Sequence, residues 1–206
     1  MNNGTMTYNK HGIKVQHNDG GRAAAGYAGD TGDCVCRAIA IATGIDYQVV
    51  YDMINILGKK ERKTKGKRSK SSARTGVYRG TIRKLMEELG WDWVPTMTIG
   101  SGCKVHLRPD ELPEGRLVVS LSKHLTCVVD GIIHDTHDPS REGTRCVYGY
   151  WKKAAPAMTA FEVCRAMAKT LKHVKYCLET KQEMGQLTLD DVKKVLAMGS
   201  HLELDK

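Results

Sequence analysis

The chain has no long hydrophobic run. Nothing in its 206 residues approaches the ~18 consecutive apolar positions a membrane-spanning helix requires, so no membrane partner is expected. Residues Met1 to Gln16 are polar and lack the apolar core of a secretory signal. Cysteines number seven, an odd count without repeated spacing, which argues against a disulfide framework of the secreted kind. The reading is a protein of a reducing cytoplasm. No paired Cys-x-x-Cys motif occurs either, so neither a thioredoxin-type redox centre nor a ribbon-type zinc site is indicated. Length fits one domain, or one domain with a small appendage.

What the chain does have is a cysteine at the mouth of a helix. In Gly32-Asp33-Cys34-Val35-Cys36-Arg37-Ala38-Ile39-Ala40-Ile41-Ala42-Thr43-Gly44, Gly32 permits a turn and Asp33 is a good N-cap. Val35, Ala38, Ile39 and Ala42 recur at helical spacing, and Gly44 suits the residue after the helix. A thiol in the first turn lies near the positive end of the helix dipole, which favours the nucleophilic thiolate. Cys36 sits about 200° further round the helix and cannot share a site with Cys34.

A base and an orienting acid are present downstream. Asp130-Gly131 separates two β-branched runs and is a strong signal for a two-residue hairpin. A type I′ turn would set Val129 opposite Ile132 and Thr126 opposite Asp135. His124, Thr126, Asp135 and His137 then share one face, with Cys127, His134 and Thr136 on the other. His124 and Asp135 become diagonal neighbours. Asp138 is the alternative acid, because a one-residue change of register reverses the faces.

These motifs resemble the papain-like cysteine peptidase superfamily, and most closely its compact bacterial branches such as the bacteriocin-leader peptidases. More narrowly, Asp19-Gly20-Gly21-Arg22 leading into Gly32–Gly44, with the His124-Leu125-Thr126 … Asp130-Gly131 … His134-Asp135-Thr136 hairpin, is similar to a group of phage and prophage proteins. The likeness covers about residues 18–152. It implies an α+β fold, with N-terminal helices packed on an antiparallel sheet. It also implies a catalytic triad of Cys34 as nucleophile, His124 as base and Asp135 as orienting acid, acting on a protein or peptide substrate in a host cytoplasm. Papain-like enzymes usually carry a glutamine shortly before the cysteine, to bind the oxyanion. Here Gly26 to Asp33 holds neither Gln nor Asn, and the nearest upstream glutamine is Gln16.

The net charge of +9 is concentrated. The stretch 59–74 carries nine Lys or Arg against one Glu, has no apolar period, and reads as a mobile surface loop. Lys59, Lys60, Arg62, Lys63, Lys65, Lys67, Arg68 and Lys70 are the candidate nucleic-acid contacts, through phosphates rather than by base stacking, since no aromatics are interleaved.

In chain order, Met1–Tyr27 reads as irregular and Cys34–Thr43 as the first helix. The second helix starts after Asp46, with Val49, Val50, Met53, Ile56 and Leu57 as its apolar face. The third runs from Tyr78 to Leu89 on an Ile82, Leu85, Met86, Leu89 stripe. Trp91–Met97 reads as an edge strand limited by Pro95, Arg116–Leu121 as a central strand, and Val147–Trp151 as a further strand. This is the α+β order of a domain over 1–152. Residues 153–206 read as a helical hairpin appended to it, with Thr188 capping the last helix.

A zinc site combining Cys103-x-x-His106 with His134-x-x-His137 is disfavoured, because strand alternation separates the last two histidines. No metal or cofactor is expected. The sequence therefore leads to a thiol hydrolase or acyl transferase acting on peptide, isopeptide or amide bonds. The alternative is a catalytically silent copy of the fold that binds a host protein or nucleic acid through the basic loop and C-terminal helices.

Overall fold

The computed structural model describes residues 6–9, 12–62 and 69–154, within a compact unit spanning Met1–Ala154. Its elements in order are β1 (Met6–Tyr8), β2 (Lys14–His17), α1 (Cys34–Thr43), α2 (Tyr47–Lys60), α3 (Arg79–Glu88), β3 (Trp91–Pro95), β4 (Arg116–Leu121), β5 (His124–Val129), β6 (Ile132–Asp135) and β7 (Gly149–Lys153). The seven strands form one sheet in the order β1-β2-β6-β5-β4-β7-β3. All neighbours are antiparallel except β2 and β6, which run parallel with Val15 opposite Ile133 and His17 opposite Asp135. The fold is mixed α+β.

Two expectations are corrected here. The sheet is mixed rather than purely antiparallel, and residues 6–8 and 14–17 are strands, not irregular chain. Each strand is short, and Val15 is the single fully buried side chain of β2, so no alternating run announces it. The expected C-terminal helical hairpin lies outside the described residues.

The sheet is buried on both faces. Against one lie the helices, whose Val35, Ile39, Val50, Ile54, Ile82 and Leu85 pack with Val118, Cys127 and Trp151 of the strands. Against the other, Ile13, Val15, Leu107, Leu117, Val119, Val128 and Ile133 form a second cluster. Strand β4 feeds both through Leu117, Val118 and Val119, which explains its uninterrupted apolar sequence. Truncating a core residue such as Ile39, fully buried, to alanine costs roughly 2–5 kcal/mol.

Helix α1 ends as its sequence predicts. Gly44 takes a left-handed conformation and its N–H bonds the Ala40 carbonyl. Helix α2 starts as expected too, with Asp46 accepting a hydrogen bond from the Gln48 N–H at 2.8 Å. Its buried face is different, made by Tyr47, Val50, Ile54, Leu57 and Gly58, while Val49 and Ile56 are about half exposed at 49% and 51%. Tyr47 opens this face, and Gly58 closes it because a Cβ there would run into the Ser71 carbonyl. That close approach anchors the far end of the basic stretch. Ser71 and Ala73 are buried, and the Ser71 hydroxyl accepts from the Tyr78 N–H. The expected surface loop over 59–74 is thus rooted on the core at one end and continues α2 through Lys59 and Lys60 at the other.

Candidate active site

The hairpin carries the acid and the base to one end of the sheet. Asp130 and Gly131 both have positive φ, 48° and 76°, as a type I′ turn demands. The register then follows: Val129 faces Ile132, Val128 faces Ile133 and Cys127 faces His134. His124 begins β5 and Asp135 ends β6, so both sit at the end away from the turn. His124 Nε2 meets Asp135 Oδ2 at 2.7 Å. Asp135 Oδ1 is held by the Thr136 N–H at 2.7 Å. Asp138 stands apart, accepting from Asn9 and from the Ser140 N–H. Asp135 is the histidine's partner.

Helix α1 packs on β5 and points its first residue at this pair. Cys34 lies beside the His124 ring and the Leu125 backbone N–H, both of which favour its thiolate. With Nε2 committed to Asp135, the ring offers Nδ1 to the thiol. Cys34, His124 and Asp135 therefore stand in sequence, with His124 between the other two, and are partly shielded: the His124 and Asp135 side chains are 12% and 4% exposed.

The electrostatics of the three groups are mutually supporting. Burial works to raise the Cys34 pKa. The His124 hydrogen bond, the Leu125 N–H, and the charges of His124 and Arg37 outweigh it and bring the thiol below its ordinary value. Burial works to lower His124, yet bonding to Asp135 and Cys34 carries it up to about 9. Asp135 is likewise pushed up by burial and held below the usual carboxylate range by His124. The arrangement favours thiolate beside imidazolium.

Asp33 departs from the capping role expected of it. Its side chain caps no N–H of α1. It is buried, 1% exposed, and turns inward to Arg22 at 2.9 Å, to Arg37 at 3.2 Å and to the Tyr47 hydroxyl at 2.7 Å. Arg37 in turn reaches Asp135 Oδ1 at 3.7 Å. One guanidinium thus joins the helix start to the acid of the hairpin. The sequence reading missed this network. The i,i+4 spacing of Asp33 and Arg37 was its available signal, obscured by the attraction of Asp33 as a cap. The consequence is that the first N–H groups of α1 carry no side-chain cap beside Cys34.

The remaining histidines divide as strand alternation requires. His137 lies beside His124, ring centroids 5.2 Å apart and planes tilted by 55°. His134 faces the other way, 3.4 Å from Asn18, and lines a cavity of about 600 Å³ with Ala40, Ile41 and Arg116 that includes none of Cys34, His124 or Asp135. Of the candidate phosphate contacts, Lys59, Lys60, Arg62 and Lys70 are exposed, with Lys70 turned back onto the Lys59 carbonyl. Lys63, Lys65, Lys67 and Arg68 lie outside the described residues. No helix among the described residues is long and apolar enough to cross a membrane.

Comparison with known proteins returns no matching family model, no matching curated protein and no matching solved structure.

Proposed function

We propose that this chain is a thiol-nucleophile enzyme, and more particularly a papain-like hydrolase or acyl transferase acting on peptide, isopeptide or amide bonds. The observation that carries this reading is the placement of Cys34 beside a His124 whose Nε2 is bonded to Asp135 at 2.7 Å. Nucleophile, base and orienting group within hydrogen-bond reach is the general signature of covalent catalysis.

In this reading the Cys34 thiolate attacks the carbonyl carbon of the substrate. Negative charge develops on the carbonyl oxygen, to which the uncapped N–H groups at the start of α1 can donate hydrogen bonds. One such donor is worth about 3 kcal/mol. The His124 imidazolium gives its proton to the departing amine, leaving a thioester on Cys34. Water, or a second amine in a transfer reaction, then attacks that thioester while His124 takes back a proton. Asp135 holds the ring in the tautomer that presents Nδ1 to sulfur.

The test is the pH–rate profile of Cys34 alkylation by iodoacetamide, in the parent chain and in His124→Ala. The enzyme reading expects rapid reaction of Cys34 near pH 6, and an apparent pKa that returns toward ~8.5 when His124 is removed. A Cys34 that titrates as an ordinary thiol in both proteins would defeat it and leave the silent, phosphate-binding alternative.

A further inference from the structure

The Cys103-x-x-His106 motif does not meet His134 and His137. It meets Cys146. His106 and Cys146 face each other across an antiparallel bridge, fixed on either side by the Leu107 N–H on the Arg145 carbonyl at 2.9 Å and the Val147 N–H on the Val105 carbonyl at 2.8 Å. Leu107 and Val147 are buried, at 1% and 0% exposed, so the bridge is clamped to the core. Cys103, three residues earlier, folds back so that its sulfur bonds that of Cys146 across a Cα separation of 5.7 Å.

A disulfide has no use for an imidazole, yet His106 is built into this cluster. The ligand atoms of Cys103, His106 and Cys146 all lie within 4.8 Å of one another. The ring is held as metal-bound histidines are held, with Nδ1 at 3.1 and 3.3 Å from the Glu111 carboxylate oxygens. The same carboxylate accepts the His106 backbone N–H at 2.7 Å. Carboxylate support of this kind fixes tautomer and ring orientation and raises the basicity of the ligating nitrogen.

We propose that Cys103, His106 and Cys146 form a binding site for a borderline-soft divalent cation of the zinc class, and that the disulfide is the oxidised form of the same site. Two thiolates and an imidazole from one Cys-x-x-His segment and a facing strand supply three tetrahedral positions, with the fourth open to water or an outside ligand. The interconversion balances with a dithiol reductant. That reductant delivers two electrons and two protons to the sulfur–sulfur bond and becomes a disulfide itself, giving free Cys103 and Cys146 thiols. The cation then displaces those two protons as it binds, while His106 binds as neutral imidazole. The site uses none of the residues of the Cys34 centre, so it stands or falls independently of the catalytic reading.

The experiment takes the full chain carrying Cys34→Ala, reduces it with a phosphine, removes excess reductant without oxygen and titrates it with Co²⁺. One equivalent is expected to give thiolate-to-cobalt charge-transfer absorbance and tetrahedral visible bands, both displaced by Zn²⁺. In the same protein, Zn²⁺ added in weak buffer is expected to release two protons per ion, a readout that needs no further variant. Glu111→Gln is expected to lower the cobalt affinity about 10–100-fold and leave the fold unchanged by circular dichroism. Absence of charge-transfer absorbance in the reduced chain would overturn the proposal. So would absorbance that persists undiminished in Cys103→Ser/Cys146→Ser, or a bridge that resists reduction in the folded protein.

Discussion

Cys34 and Cys36 lie two residues apart on one helix and face opposite fates. Cys34 meets His124 and the Leu125 N–H, and its thiol is brought below the ordinary value despite burial. Cys36 is fully buried, its sulfur 3.5 Å from the Tyr47 carbonyl, and burial together with the nearby Asp33 charge pushes it up to about 12. Both lie in the first turn of α1, so the helix dipole cannot separate them. The partner does. Asp33 sharpens the contrast: its negative charge counts against a Cys36 thiolate, while Arg37 lowers both thiols.

The largest expected effect breaks the pair directly. Cys34→Ala should abolish fast alkylation below pH 7 altogether. Cys36→Ala should leave that reaction intact and cost stability instead, on the order of 1 kcal/mol for a small buried truncation, measured by urea unfolding. Fast labelling that followed Cys36 would invert the assignment.

The next effect separates thiolate from proton donor. As pH falls through the lowered Cys34 pKa, the thiolate is lost, and both alkylation and the proposed amide cleavage should fall. As pH rises through about 9, His124 gives up its proton. Alkylation needs only the thiolate and should hold its plateau, whereas amide cleavage needs the imidazolium and should decline, tenfold per unit at most. A sigmoid for one reaction and a bell for the other is the expected pair of profiles. Asp135→Asn removes a charge that sustains the His124 proton, so the alkaline limb of the bell should move to lower pH.

The hairpin could be read because Asp130-Gly131 pins the turn, and a pinned turn fixes every facing residue up to His124 and Asp135. Cys34 could be read because a short helix of small apolar residues starts at it. The position of helix α2 follows from its sequence but its rotation does not, since Val49 and Ile56 look as apolar as Val50 and Ile54, and packing against α1, α3 and Ser71 decides which side turns inward. The β2–β6 pairing joins Val15 to Ile133 across most of the domain, a separation that local sequence does not encode. Asp33 was misread for a related reason: its cap is a local option, and Arg22, Arg37 and Tyr47, which outbid it, are contacts of the folded chain. Cys146 belongs with His106 only once β4 to β7 are assembled around them.

The smallest effect tests whether the buried carboxylate matters to the reactive thiol or only to the fold. Tyr47 donates its hydroxyl to Asp33 Oδ2 at 2.7 Å, while Arg37 touches both Asp33 and Asp135. Tyr47→Phe removes one hydrogen bond to a buried charged group that keeps both its arginines. Stability should fall by about 1.5–3 kcal/mol, with the Cys34 alkylation profile unmoved. Arg37→Gln removes the link to the hairpin and a positive charge that favours the thiolate, so it should shift that profile upward by less than His124→Ala does. Two variants that destabilise alike but differ in the profile would show that Arg37 acts on the thiol through its charge. Equal, unshifted profiles would confine the whole Asp33 network to holding the start of α1 against the core, and leave His124 and the Leu125 N–H as the groups that distinguish Cys34 from Cys36.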